Sequence, residues 1–338
     1  MDLDQFWFAM LGVLLTGYAV LDGFDLGVGI LHLTARSDDE RRIFMNSIGP
    51  LWDGNEVWLV TFGGALFAAF PRAYAAAFSA FYLPFMLLLF ALIFRAVSIE
   101  FRSKREAKAW RRWWDRAFFA ASVVAAFLMG VAVGNSISGI PLDTNGEFAG
   151  GLRDLLRPYA LVVGVFAIAL FAMHGAIYLH LKTEGELQAR IRGLVWRAFC
   201  GFLVGYLLVT VFTLVRLPGA IRNFEQIPWA WLVVAANVLA IANIPRAIYH
   251  RRPRAAFVSS SCTIAALLFL FGVALYPNLI ASRLDPTTSL TIYTAASSAK
   301  TLRIMRGVAF LGMPFVAAYT AVVYWVFRGK VELGKFSY

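Results

Sequence analysis

The chain has 338 residues, of which 60% are hydrophobic and 15% charged, and its mean hydropathy is +0.69. A soluble domain carries about 25% charged residues, so a water-soluble globule is excluded. The net charge of +11 does not point to nucleic acid, because the cations gather in short segments between apolar runs.

Nine apolar runs lie near 6–34, 54–70, 74–95, 117–139, 158–181, 195–215, 229–248, 256–280 and 305–327. A helix needs about 20 such residues to cross the hydrocarbon core, and the second run is the shortest. None alternates polar and apolar residues as a membrane β-strand does. The expected fold class is therefore an all-α polytopic membrane protein of about nine transmembrane helices. Residues 2–5, Asp-Leu-Asp-Gln, are acidic where a signal peptide carries Lys or Arg, so no cleavable signal is expected.

The first run contains Val20-Leu-Asp-Gly-Phe-Asp-Leu-Gly-Val-Gly29, which puts Asp22 and Asp25 three residues apart on one helical face. An uncompensated charge at mid-membrane costs about 3 to more than 10 kcal/mol, so such acids face protein or water and mark function. The bland alternative is a pair near an interface that binds an arginine of a neighbouring helix, and Arg95 is a suitable partner. Next comes Ile48-Gly-Pro-Leu-Trp-Asp-Gly-Asn-Glu-Val-Trp58. Asp53 or Asn55 is expected to cap a helix there, with Glu56 in its first turn, where the dipole favours an acid. Capping leaves the run of Trp52, Asp53, Asn55, Glu56 and Trp58 unexplained. Two acids at the mouth of a helix suit proton uptake. Arg95 and Glu100 close the third run, where snorkelling to lipid headgroups is the plain expectation.

Segments 35–50, 96–116, 182–194 and 249–254 and the tail after 327 are rich in Lys and Arg, and the alternate loops hold fewer. Short basic loops stay in the cytoplasm, which places the N-terminus outside and the C-terminus inside. Some attraction to anionic lipid follows. No linker divides the chain, so 1–338 reads as a single membrane domain. The polar loop 140–157 separates a first bundle, 1–139, which bears the acids, from a second group, 158–338. Two four-helix bundles plus one peripheral helix are the expected arrangement.

Gly130 with Gly134, and Gly201 with Gly205, have the spacing that lets helices approach closely. Trp7, Trp110, Trp113, Trp114, Trp229 and Trp325 lie near run ends, as in an aromatic belt. Cys200 and Cys262 read as small apolar filler, without metal-ligand spacing. Of the four histidines only His174 and His180 share a run, on different faces. His174 reads as a buried hydrogen-bonding group and no metal site is expected.

Several stretches together resemble subunit II of the cytochrome bd-type quinol oxidases. They are Asp22-Gly-Phe-Asp-Leu-Gly-Val-Gly29, Glu40-Arg-Arg-Ile, Asn46 to Trp58, Gly63-Gly-Ala-Leu-Phe-Ala-Ala-Phe-Pro71, Tyr74-Ala-Ala-Ala-Phe-Ser and Phe94-Arg-Ala-Val-Ser-Ile-Glu-Phe-Arg102, with Gly134-Asn135 and His174-Gly-Ala further on. The wording around Glu56 resembles the cyanide-insensitive branch. The resemblance implies a bacterial inner-membrane heterodimer that oxidises quinol and reduces dioxygen to water. It places haem b and haem d on a partner, subunit I, with small single-helix accessory subunits and a structural quinone known in some members. It assigns Asp53 to a proton path, Asp25 to a buried acid near that path or the subunit contact, and Trp58 to the oxygen entrance. Arg95 and Glu100 become quinone-related or structural polar groups. Asp22 and Glu56 join the proton path on local chemistry alone. The competing class is a secondary transporter, since glycine-interrupted first helices with acids also mark ion and substrate sites.

Overall fold

The computed structural model describes residues 2–217 and 219–334; Lys335 of the basic tail lies outside them. The helices are α1 (Leu3–Leu31), α2 (Asp38–Ile48), α3 (Trp52–Ala69), α4 (Pro71–Ala80), α5 (Tyr82–Phe101), α6 (Lys108–Ser138), α7 (Leu152–Leu155), α8 (Pro158–Lys182), α9 (Gly185–Arg216), α10 (Gly219–Gln226), α11 (Ala230–Tyr249), α12 (Pro253–Leu275) and α13 (Ala299–Val326). A small antiparallel pair, β1 (Asn278–Ile280) with β2 (Leu290–Thr291), precedes α13. The all-α expectation holds.

Among the described residues, eight helices are long and apolar enough to cross a membrane: α1, α5, α6, α8, α9, α11, α12 and α13. The expected ninth, 54–70, is α3, which falls short because its 18 residues open on Trp52-Asp-Gly-Asn-Glu56. The run 74–95 also divides differently. Its first residues belong to α4, and α5 restarts at Tyr82. Pro84 explains the restart: it has no N–H to bond back to Ala80, a loss tolerated only in a helix's first turn. Charged ends extend two helices past their apolar runs, so α6 begins at Lys108 and α9 at Gly185. Two expected loops hold helices, α2 and α10. Ser37 caps α2 by accepting the Glu40 N–H at 3.2 Å.

Two buried clusters mark the two ends of the helix array. One joins Trp7, Phe70, Ala73, Ile140, Leu155 and Ile292. The other gathers Phe44, Ile48, Leu51, Ile99, Ile191 and Ile248. Helices α1, α3, α5, α6 and α13 each carry residues of both clusters and so run from one to the other. The basic segments all collect at the second end. There Arg190 donates to the Thr34 carbonyl at 3.1 Å, and Lys330 to those of Leu181 and Thr183 at 2.9 and 2.6 Å. At the first end Arg72 donates to the carbonyls of Asn145 and Thr294 at 3.1 and 3.2 Å. Gly139 closes α6 there with φ +77°, and a Cβ on it would sit 3.2 Å from the Ala281 carbonyl.

Helix α1 runs through the middle, packed on α3, α6, α8 and α12, while α13 lies outermost against α1 and α3. Close crossings are made by glycine. A Cβ on Gly27 would meet the Phe171 carbonyl at 1.9 Å, and one on Gly175 would meet Gly27 at 2.4 Å. Gly130 and Gly134 bring α6 onto α8 as their spacing implies, with Gly164 and Ala160 at 2.8 and 2.7 Å from the added Cβ. The second glycine pair behaves otherwise. Gly205 faces Phe166 at 3.0 Å, but nothing lies within 4 Å of Gly201. Trp7 is core rather than belt: it is buried and donates its indole N–H to the Leu302 carbonyl at 3.1 Å. Trp114 is likewise buried. Cys200 and Cys262 are exposed free thiols.

Candidate functional site

Asp22 and Asp25 occupy the second half of α1 and are both fully buried. Their shared face turns toward α3 and α5. From α5, Arg95 reaches them, fully buried itself. Its Nη1 donates to Asp22 Oδ2 at 3.0 Å and its Nη2 to Oδ1 at 2.5 Å, the bidentate fork that guanidinium and carboxylate make best. The same Nη2 lies 2.9 Å from Glu56 Oε1 of α3. Arg95 therefore does not snorkel. A buried ion costs several kcal/mol unless paired, and the two acids supply the pairing. It does bind Asp22 as the alternative reading required, but in the interior rather than near an interface. Glu100 lies half-buried in the last turn of α5.

Asp25 is held from α3. Asn55 Nδ2 donates to Asp25 Oδ2 at 2.7 Å and to the Leu21 carbonyl at 3.1 Å. Asn55 Oδ1 in turn accepts the Tyr324 hydroxyl of α13 at 3.0 Å. Asp25 Oδ1 is buried without a hydrogen-bond partner among the described residues. The expected cap is absent: α3 begins at Trp52 after Leu51, with no side-chain cap, and Asn55 turns inward instead. Asp53 stands exposed in the first turn, one turn before Glu56 on the same face. The Trp58 ring lies across Gly17 of α1, where a Cβ would meet it at 2.2 Å. The acids of α1 and α3 thus form one assembly, with Asp53 at its rim.

A second buried network, at the basic end, escaped the sequence reading. Asp115 of α6 accepts from Arg102 Nε at 2.6 Å and Arg41 Nη1 at 3.1 Å, and lies 2.6 Å from His32 Nε2. Arg102 also binds Asp38 at 2.6 Å, and Arg111 binds Asp38 at 2.9 Å. His32, Arg102 and Asp115 are all buried. The available signal was Asp115 itself, one of two acids among seven cations between Arg102 and Arg116.

His174 is the buried hydrogen-bonding group expected of it. Nδ1 meets Ser260 Oγ at 2.8 Å, Nε2 the Val20 carbonyl at 3.1 Å, and the ring stacks on Phe257. With both nitrogens engaged it does not fit an axial ligand. Among the described residues no three His, Cys, Asp or Glu side chains come together as a metal site.

The family profile described as cytochrome bd terminal oxidase subunit II matches residues 3–327. This chain belongs to the cytochrome bd oxidase subunit II family. It is 39% identical to cytochrome bd-I ubiquinol oxidase subunit 2 of Escherichia coli (strain K12), covering 96% of this chain and 94% of that one. It is 33% identical to cytochrome bd ubiquinol oxidase subunit 2 of Bacillus subtilis (strain 168), covering 98% and 97%. The fold is similar to a chain of the bd oxidase from Geobacillus thermodenitrificans, with a TM-score of 0.80 at 18% identity over 97% of this chain and 99% of that one. The protein is thus a multi-pass inner-membrane subunit of a quinol oxidase, with subunit I as its partner and the haems expected on that partner. A transporter reading finds no support in these similarities.

Proposed function

We propose that this subunit completes the oxidase and brings protons and dioxygen to the haems of subunit I, using the acids of α1 and α3. The observation that carries this reading is Asp25, a fully buried carboxyl whose Oδ1 has no partner among the described residues. A purely structural acid would have both oxygens satisfied. Asp53, exposed at the basic end, is the uptake group. Glu56 follows one turn deeper, and Asp25 is the inner station. Arg95 fixes Asp22 and Glu56 in position. Glu100 is a structural polar group at the mouth of the same route, or a contact for a bound quinone. Trp58, laid over Gly17, marks a seam between α1 and α3 where dioxygen dissolved in the bilayer enters.

The basic end faces the cytoplasm on this reading, because short loops rich in Lys and Arg remain there. Counting α3 as a pass, nine helices then put the N-terminus outside and the C-terminus inside. The helices read as two groups, 1–139 and 158–338, with α13 peripheral. The haems of subunit I, when bound, supply the reduction of dioxygen to water. Electrons do not need to cross this chain. Protons drawn from the cytoplasm, with quinol protons released outside, separate charge without a pump.

Replacing Asp53 by Ala tests the uptake role. Turnover of the purified complex should fall while its haem content, read from the reduced-minus-oxidised spectrum, stays intact. Unchanged turnover would remove Asp53 from the path. The same spectrum settles the branch: a haem d band marks the bd type, and haem b alone the cyanide-insensitive one.

A further inference from the structure

At the basic end a cavity of about 530 Å³ opens between the start of α12, the end of α8 and the segment that follows α13. Four of its lining residues are Arg252, Arg254, Arg328 and Lys330. A second cavity of about 350 Å³ shares Leu181, Arg254 and Arg328 with it and runs inward past Tyr178, Phe257, Tyr324 and Phe327. Lys182, nine-tenths buried, lines this inner part. Among the described residues no acidic side chain lines either part.

The cations divide by role. Lys182 donates to the carbonyls of Phe327 and Gly329, and Lys330 to those of Leu181 and Thr183. Together they pin residues 327–330 against the end of α8 and form the floor. Arg328 is turned back on Trp325, its guanidinium 4.5 Å from the ring. The side chains of Arg252 and Arg254 are exposed and make no hydrogen bond or ion pair among the described residues. They flank Pro253, the first residue of a 23-residue helix, so the first-turn N–H groups of α12 add their partial positive charge at the same place. A cationic mouth that continues into an aromatic cleft matches one ligand shape, an anionic headgroup with an apolar chain behind it.

We infer that the joined cavities at the basic end bind an anionic phospholipid, its phosphate held by Arg252 and Arg254 and an acyl chain laid along Phe257, Tyr324 and Phe327. The anionic leaflet supplies such a lipid on the cytoplasmic side, which rests on the sidedness proposed above; the binding chemistry itself does not depend on that sidedness.

The test uses the delipidated two-subunit complex in detergent, titrated with dioctanoyl phosphatidylglycerol, dioctanoyl phosphatidylcholine or inorganic phosphate and read by native mass spectrometry. Phosphatidylglycerol should bind at least about tenfold more tightly than phosphatidylcholine or phosphate. The double substitution Arg252→Gln with Arg254→Gln should weaken it by about tenfold, the effect of removing two cations from an anion. Phe327→Ser should weaken the lipid and leave phosphate binding unchanged. Equal binding of the two lipids, or a double variant that binds as wild type does, overturns the site. Phosphate binding as tight as phosphatidylglycerol overturns the lipid assignment. The Asp53 turnover assay is unaffected by any of these results, so the two proposals fail separately.

Discussion

Substituting Arg95 by Gln removes the only cation bonded to Asp22 among the described residues. Asp22 and Arg95 are both fully buried, and Glu56 shares the guanidinium at 2.9 Å. Gln cannot reproduce the fork, so Asp22 would be left as an uncompensated charge in the interior. Breaking one side of a buried pair costs about 3–5 kcal/mol. For a chain of this size that corresponds to roughly 4–7 °C in the temperature at which the assembled complex is lost. The assay is thermal inactivation of the purified complex, scored by quinol oxidase activity and by haem retained. Adding Asp22→Asn to Arg95→Gln removes the orphan charge and should recover half or more of the loss, a coupling of about 2 kcal/mol or greater. Arg95→Lys keeps the charge without the fork and should fall between wild type and Gln. If the two single substitutions simply add, or Arg95→Gln inactivates at the wild-type temperature, the buried ion pair is not what holds α1, α3 and α5 together.

Gly27→Ala drives a methyl into the Phe171 carbonyl and should destabilise the complex by about 1–3 kcal/mol, whereas Gly201→Ala, with nothing within 4 Å, should be neutral in the same thermal assay. Asp115→Asn uncharges the acid that Arg102 and His32 share, and should lower stability by about 3 kcal/mol while turnover per haem stays at the wild-type value. Asp154, in the short helix at the opposite end, accepts the Gly151 N–H and the Arg283 guanidinium, which hold its carboxyl below the usual range. A lowered value contributes stability above the unfolded pKa of about 3.9 that is lost as pH falls through the lowered one. Asp154→Asn should therefore speed hydrogen exchange in loop 140–157 at neutral pH, and the difference from wild type should vanish in strong acid.

The helical membrane fold was legible because apolar runs of spanning length are hard to mistake. The exceptions have local causes. The acids that open α3 lower its apolar content below that of its neighbours, and Pro84 moves the start of α5 where composition alone sees one run from 74 to 95. At the site, the spacing of Asp22 and Asp25 and the partnership with Arg95 were readable, since a membrane interior leaves acids few options. Arg95's depth was not: a residue near the end of an apolar run reads as interfacial until the long helix carrying it is placed. Asn55 looked like a cap because caps are chosen from local sequence, and its bond to Asp25 spans 30 positions. The Asp115 network stayed hidden for the same reason, its acid being masked by the surrounding cations. The Gly27–Gly175 crossing did leave a signature, the four-residue spacing of Gly23 and Gly27 in α1, but spacing on one helix does not name the helix that meets it.

The central claim is that Asp25 is the inner proton station of this subunit. Its most direct test is the rate of proton uptake by the fully reduced complex after an oxygen pulse, compared between wild type and Asp25→Asn at equal haem content. Slowed uptake, with quinol binding unchanged, is the predicted result; uptake at the wild-type rate in a fully assembled Asp25→Asn complex would contradict it.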